Sequence, residues 1–344
     1  MIHLAVKRLP TLLLLGSLVA SVTLAQTPEP QPQSFLRKVI ELGDDKLAAL
    51  EKGEVVTRQL PGADKPEIAA FGVIKVAAKR GLFVERIRDI QHFRKVPQVP
   101  EIGVFSLPAR LEDLAALTLE DRDFEVMRKC APGNCNFKLG VAGIESLQKE
   151  VKFDAPDAKA KVLRILKEQA ASYVEAYRKG GTDAMGTLAT RKEPRLLSSE
   201  FKLLLKQSPY LPEYVPAFSA YLDSYPKGTL AGASDVIYWT KDNFGLKPVL
   251  SIYHLTIWND PAQPVALASI KQLYASHFFN AGLDLIAAVD GDAGKGLYLL
   301  DLYRGRIDPP TGMLAGVLLG KVRSGVEDGV RANLKTAKQR LEGK

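Results

Sequence analysis

Apolar and polar residues alternate along much of the last third of the chain, and apolar residues then recur at helical spacing up to the C-terminus. Residues 251–258 and 297–303 are rich in β-branched and aromatic side chains, as half-buried strands require. Residues 314–341 place apolar side chains every three or four positions, in one stripe along a helix. This pattern predicts several strands between 236 and 308, packed against one long C-terminal helix.

The first third of the chain repeats this mixture on a smaller scale. Residues 35–50 have helical spacing, residues 53–60 and 67–77 alternate as a hairpin of two strands, and residues 79–93 return to helical spacing. A turn sequence, Pro-Gly-Ala-Asp at 61–64, joins the two strands.

Between the two β-rich parts, residues 141–233 carry few strand signals. Helices are predicted at 158–177 and 198–206, and prolines at 209, 212 and 216 divide the next part of the chain into short pieces. We therefore predict an α+β fold, in which a curved antiparallel sheet grips a long C-terminal helix and residues 141–233 form a helical insertion.

This order of elements resembles the START-like, or helix-grip, superfamily, which includes polyketide cyclases and lipid-transport proteins. The hairpin at 53–77, the helix at 79–93 and the closing helix at 314–341 carry the resemblance, which covers residues 35–140 and 234–342. It implies a deep apolar cavity between the sheet and the C-terminal helix, occupied by a lipid, sterol, polyketide or other hydrophobic molecule.

The N-terminus has the pattern of a secretory signal peptide over residues 1–25. Lys7 and Arg8 precede an apolar run at 12–22, and small residues stand at the cleavage positions before Gln26. Residues 26–34 are rich in Pro and Gln and predict an extended tether. We expect a periplasmic or secreted protein whose mature chain has no transmembrane segment.

The two cysteines, Cys130 and Cys135, enclose a strong turn sequence. Because an exported protein meets an oxidising compartment, close and even-numbered cysteines favour a disulfide over a metal or redox site. Apolar residues at 124–127 and 137–139 predict that the disulfide closes a β-hairpin.

The formal net charge is +8, but basic and acidic residues are interleaved along the chain. Such a surface is compatible with contact with an anionic membrane, whereas the compartment and the lack of a basic, aromatic stripe disfavour nucleic acid as a partner. We find no motif for a metal, a nucleotide or a catalytic triad, and we predict no cofactor.

Histidines on the predicted strands are candidates for ligand binding. His254 shares a face with Trp258 because side chains alternate along a strand, and His277 lies among apolar neighbours that make it a pocket candidate. A hydrogen-bonded histidine without a ligand role is the competing interpretation for both.

Basic side chains and glycines complete the candidate site. Arg304 and Arg306 share a face and could clamp a carboxylate or phosphate headgroup, with Lys271 beside them, although an ion pair between strands explains them equally well. Gly316 and Gly320 form a row along the last helix, which predicts close approach of its backbone to the sheet or to a ligand.

The leading hypothesis is therefore an exported protein that binds a hydrophobic small molecule or lipid between the sheet and the C-terminal helix. The first alternative is an enzyme of the cyclase or hydrolase type that acts on such a ligand in the same cavity. The second is an envelope structural or interaction protein, whose helical insertion binds another protein.

Overall fold

The computed structural model describes residues 32–243, 247–291 and 296–343. The predicted signal peptide and residues 26–31 of the tether lie outside these ranges. The strands are β1 (Val56–Leu60), β2 (Glu67–Val76), β3 (Glu101–Val104), β4 (Thr187–Leu188), β5 (Arg195–Leu196), β6 (Ala233–Asn243), β7 (Pro248–Asn259), β8 (Val265–Ala275), β9 (Phe279–Asp290) and β10 (Leu297–Ile307). The α-helices are α1 (Pro32–Lys38), α2 (Asp44–Glu51), α3 (Arg80–Arg88), α4 (Ile90–Arg94), α5 (Asp121–Arg128), α6 (Val141–Glu150), α7 (Ala158–Gly180), α8 (Leu197–Lys206), α9 (Tyr210–Tyr214), α10 (Pro216–Ser224) and α11 (Ala315–Leu341).

Eight of the described strands form one antiparallel sheet in the order β1-β2-β10-β9-β8-β7-β6-β3. The predicted hairpin is β1 and β2, and β2 pairs with the last strand, β10. This pairing joins the N-terminal and C-terminal parts of the chain in one sheet. The predicted fold class, α+β with an antiparallel sheet and a long C-terminal helix, is confirmed.

The sheet is covered on both faces. On one, which we call the grip face, Ala70, Ile270 and Leu299 pack with α11 and α3. On the other, which we call the block face, Phe71 and Leu302 pack with α1, α2 and helices α7 to α10. Since neighbouring residues of a strand point to opposite faces, each strand contributes side chains to both layers.

The C-terminal helix packs on the grip face through its second half. Val330 and Leu334 are buried, whereas Leu314 and Leu318 near its start are 63% and 45% exposed. The close approach to the sheet predicted for Gly316 and Gly320 is wrong, because a Cβ atom added at either glycine would meet no atom of another element within 4 Å, and approach to a ligand stays a prediction.

The close approach occurs on the sheet instead. A Cβ atom at Gly72 of β2 would lie 2.6 Å from both Val330 Cγ1 and Leu334 Cδ1. A glycine at this position therefore lets the second half of α11 lie directly on the strand.

Cys130 and Cys135 form the predicted disulfide. The β-hairpin predicted around it is wrong, because residues 124–127 belong to α5. Asp121 and Asp123 in the first turn suit a helix N-terminus, and Phe124 and Met127 lie three residues apart on its packed side. The disulfide is part of a small core that α5 shares with α6 and the first half of α7.

Two predicted helices are each divided in two. Residues 35–50 contain α1 and α2, separated by Glu41 at a φ of 56°. Residues 79–93 contain α3 and α4, which meet at Asp89, whose side chain accepts a hydrogen bond from the His92 backbone N–H. In the described ranges no helix is long and apolar enough to cross a membrane.

Candidate functional site

A cavity of about 700 Å³ lies between the grip face and α11. Phe83 of α3 and Phe93 of α4 form part of its wall, and Ile270, Leu299 and Leu334 continue the wall across the sheet and the helix. This volume falls in the range of small-molecule binding sites, roughly 300–1,000 Å³.

Charged side chains interrupt this apolar lining. Asp301 of β10 and Asp284 of β9 point from neighbouring strands of the grip face, and Asp242 lies near the end of β6. Arg94, the last residue of α4, lines the cavity opposite the sheet. Charged groups in such a position need partners, since burial of an unpaired charge is costly.

The two neighbouring carboxyls interact directly. Asp301 and Asp284 share a side-chain hydrogen bond, and burial raises the pKa of both groups. The pKa of Asp301 is raised further by the charge of Asp284 and by the hydrogen bond between the two groups. Two carboxyls this close favour sharing a proton, because two negative charges side by side repel each other.

The remaining charges interact with one another across the cavity. Burial by itself would lower the pKa of Arg94, but nearby Tyr238, Asp242, Tyr253 and Asp284 together raise it, so the guanidinium stays charged. Burial raises the pKa of Asp242, and the charge of Arg94 opposes that shift.

A layer of tyrosines and one glutamine extends the polar region across the sheet. Tyr253 Oη donates to Asp242 Oδ2 at 3.4 Å, and Gln272 Nε2 donates to Tyr253 Oη at 3.4 Å. Tyr238 stacks on Tyr253 with ring centroids 5.2 Å apart. We call Arg94, Tyr238, Asp242, Tyr253, Gln272, Asp284 and Asp301 the polar cluster.

Five buried side-chain atoms of the described residues have no hydrogen-bond partner, and all five belong to the polar cluster. Leaving one buried polar atom unpaired costs about 1–3 kcal/mol. A concentration of such atoms in one place is therefore a reason to infer a binding function. The atoms are Arg94 Nε, Tyr238 Oη, Gln272 Oε1, Asp284 Oδ1 and Asp301 Oδ1.

The residues predicted from sequence lie elsewhere, and none of them lines this cavity. His254 is on the block face, where Nε2 contacts Asp235 Oδ1 at 2.8 Å and Nδ1 contacts Tyr177 Oη at 2.8 Å. Burial lowers the pKa of His254, and Asp235 opposes that shift. Trp258 stacks on Phe218, with ring centroids 6.0 Å apart.

The basic candidates are also on the block face. Arg304 NH1 donates to Glu67 Oε1 at 2.6 Å, an ion pair between β10 and β2. Arg306 forms a paired contact with Asp64 at 2.9 Å and a third hydrogen bond, to Glu200, at 2.6 Å. These contacts match the ion-pair interpretation.

Lys271 and His277 are likewise engaged by the protein. Lys271 Nζ donates to Thr182 Oγ1 at 2.7 Å and lies 4.0 Å from the centre of the Phe201 ring. His277 is 4% exposed, and its ring nitrogens contact Asn136 O at 3.0 Å and Asp123 Oδ2 at 3.3 Å. The ligand-binding role predicted for these residues, and for Gly316 and Gly320, stays a prediction.

Sequence reasoning missed the polar cluster, although a signal for it was present. Asp284 stands between Leu283 and Leu285, and Asp301 between Leu300 and Leu302, so each interrupts a short run of apolar residues. A single carboxyl inside such a run is a candidate for burial, and burial of two of them on neighbouring strands points to a site.

No family model and no curated protein matches the chain. Among solved structures, it is similar to the crystal structure of a STAR-related lipid transfer protein (fragment 25–204) from Xanthomonas axonopodis. The TM-score is 0.37 and the sequence identity 9%, and the match covers 83% of this chain and 93% of that chain. A likeness of this size carries no functional argument.

Proposed function

We propose that the protein binds a lipid or another largely hydrophobic small molecule in the cavity between the grip face and α11. The polar part of the ligand lies against the polar cluster, and its apolar part lies along Phe83, Phe93 and Leu299. The observation that carries this proposal is a cavity of about 700 Å³ whose apolar walls also hold three unpartnered buried polar atoms, Arg94 Nε, Asp284 Oδ1 and Asp301 Oδ1.

Both halves of the cavity support an amphipathic ligand. Each square ångström of apolar surface removed from water contributes about 25 cal/mol, so a hydrocarbon tail against the walls stabilises the complex. A polar group that completes the hydrogen bonds of Asp301 and Asp284 removes a cost already present in the free protein. The cavity therefore favours a ligand with one apolar end and one polar end.

The entrance lies between α11 and the segment just after α4. Gln98 and Asn333 are exposed and line the cavity, as do Gly329 and Ala332 of the helix. The first half of α11 is largely exposed, so the helix holds the cavity closed through its second half only. A ligand can enter by a shift of α11 relative to this segment.

Export of the protein is part of the proposal, and the predicted signal peptide supports it. N-terminal sequencing of the protein from a periplasmic or secreted fraction should give Gln26 as the first residue. A chain that starts at Met1 and stays in the cytoplasm would contradict export and leave the binding proposal untouched.

Native mass spectrometry of protein purified from its source, followed by lipid extraction, tests the binding function. We expect a bound species of one ligand per chain that organic solvent releases. The variant Ala332→Trp, at a position lining the cavity, should lose this species because the indole occupies the entrance. The matched variant Lys335→Trp, at an exposed position outside the lining, should retain it. Wild-type protein that binds nothing would contradict the proposal.

The Asp284–Asp301 pair favours a second candidate function, an enzyme that acts on the ligand in the same cavity. A neutral acid that donates to a carboxylate can give a proton to a substrate while its partner accepts one. Incubation of the protein with the extracted ligand should then change the mass of the ligand, and Asp301→Asn should abolish that change. An unchanged ligand after prolonged incubation leaves binding as the function.

A further inference from the structure

The unpartnered atoms of the polar cluster are mainly hydrogen-bond acceptors. On the residues that line the cavity, Asp284 Oδ1 and Asp301 Oδ1 are carboxyl oxygens, which accept hydrogen bonds wherever they carry no proton. Arg94 Nε is a donor, and the hydroxyl of Tyr238 can do either. A group that satisfies the cluster must therefore bring several N–H or O–H donors.

The charges around the cavity indicate whether the donors of the ligand are N–H groups of a cation or O–H groups. Four carboxyls line the cavity, those of Asp242, Asp284, Asp301 and Asp328, and Arg94 is the one cationic side chain among its described lining residues. Carboxyl groups thus outnumber basic groups four to one in this lining. A cation is attracted to such a site, whereas an anionic headgroup is repelled.

Burial makes this attraction effective. Asp301 is 3% exposed, so water screens its interaction with a ligand only weakly. Asp284 and Asp301 are held in place by the pairing of β9 and β10. The acceptors are thus fixed in place before any ligand arrives.

We propose that the ligand is an amphiphile with a protonated primary or secondary amine, whose N–H groups donate to Asp284 and Asp301 while its tail follows the apolar walls. The inference rests on the proposed binding function and names the chemical class of its ligand. A quaternary ammonium group has no N–H donor and leaves the acceptors unpaired, so it should bind more weakly.

Three probes with the same tail and different heads test the inference. Octylammonium, octanol and octanoate are titrated into the mature protein by calorimetry at pH 7, below the concentrations at which they aggregate. We expect octylammonium to bind about 10-fold or more tightly than either other probe, because hydrogen bonds between charged groups are stronger than those between neutral groups.

Isosteric variants identify the residues that are responsible. Asp284→Asn and Asp301→Asn should each lower the affinity for octylammonium about 10-fold and leave the affinity for octanol within about 2-fold. Retained octanol binding also shows that each variant is folded. The control Glu85→Gln removes one carboxylate from an exposed position of α3 and should change neither affinity.

The outcomes separate this inference from the proposed function. Octanol or octanoate that binds as tightly as octylammonium, with Ala332→Trp blocking all three, would overturn the amine and keep the cavity as the binding site. Unchanged octylammonium affinity in both Asp variants would also overturn the amine. No binding of any probe would count against the proposed function itself.

Discussion

The two faces of the sheet both bury charged side chains, but they differ in how these side chains are paired. On the block face, Arg304, Arg306 and His254 each contact at least one carboxylate of the protein at 2.6–2.9 Å. On the grip face, Asp284 and Asp301 share one hydrogen bond and leave an oxygen each without a partner. These three block-face side chains are thus paired with carboxylates of the protein, whereas the two grip-face carboxyls are not paired with a basic side chain among the described residues.

This difference separates structural charges from functional ones. A paired charge beneath a packed helical layer fixes how that layer sits on the sheet, and its removal damages the fold. An incompletely paired charge that lines a cavity destabilises the folded protein, and such a cost is typical of a functional site. The block face therefore has the character of an interface within the protein, and the grip face that of a binding site.

The largest expected effect is on the block face, at the Arg304–Glu67 pair. Arg304→Met should lower the free energy of unfolding by about 3–5 kcal/mol, because fully buried Glu67 then has no counter-charge. Urea denaturation followed by circular dichroism measures this loss. The double variant Arg304→Met with Glu67→Leu should recover most of it, and a single variant as stable as wild type would break the comparison.

Lys271 is the block-face cation that has no carboxylate within ion-pair distance among the described residues. Burial lowers the pKa of Lys271 to about 7, and the charges of Asp223 and Asp183 oppose this shift only weakly. Lys271→Met should therefore stabilise the protein at pH 6, by up to about 3 kcal/mol.

The sign of the pH dependence follows from the two pKa values of Lys271. Between pH 7 and the ordinary value of 10.5, the unfolded chain binds the proton and the folded chain does not. Wild-type stability therefore rises with pH across this window, and the advantage of Lys271→Met changes with pH in the same window. Below pH 7 the folded chain bears the full cost of the buried charge, so the advantage of Lys271→Met is largest there. Above pH 7 the folded chain releases the proton while the unfolded chain keeps it, and the advantage shrinks as the pH approaches 10.5. Melting curves at pH 6, 8 and 10 measure it, and an advantage that is constant with pH would contradict the assignment.

A smaller effect is expected on the grip face, from Asp301→Asn. The folded pKa of Asp301 is raised by burial and by Asp284, so the folded state binds more protons than the unfolded chain above pH 3.8. Wild-type stability therefore falls as pH rises through this window. The same cavity is also lined by Arg94, Asp242 and Asp328.

Asp301→Asn removes this penalty, and we expect a gain of about 1 kcal/mol at pH 7 that disappears near pH 3.8. Thermal melts of both proteins at pH 4 and pH 7 measure the difference. A loss of stability as large as that of Arg304→Met would show that the grip-face carboxyls are structural.

The last prediction is that two glycines, Gly316 and Gly72, respond to the same substitution in opposite directions. Gly316→Ala should stabilise the protein by about 0.5–1 kcal/mol, because the position is open and alanine favours a helix. Gly72→Ala should instead destabilise it by about 1–3 kcal/mol, since its Cβ would overlap Val330 and Leu334. Equal melting temperatures for the two variants would contradict the close packing of α11 on β2.

The long periodic segments made most of the fold predictable. The strands of 251–258 and 297–303 and the helix of 314–341 were visible because many residues repeat one period. The hairpin at the disulfide failed for the opposite reason, since residues 124–127 are too few to distinguish a strand from a helix.

The site was harder to predict than the fold, for a geometric reason. Alternation placed His254 and Trp258 correctly on a common face, as it does Arg304 and Arg306. It does not say which of the two faces meets α11 and which meets the helical block. That choice depends on how the helices cover the sheet, and here the cavity lies on the face that carries Asp284 and Asp301.

A crystal structure of the protein purified from its source with its own ligand tests the central claim most directly. We predict a molecule between the grip face and α11, with a donor atom about 3 Å from Asp301 Oδ1 and Asp284 Oδ1 and an apolar part against Phe83 and Phe93. A ligand on the block face would contradict the claim. So would a closed cavity in which protein groups complete the hydrogen bonds of both carboxyls.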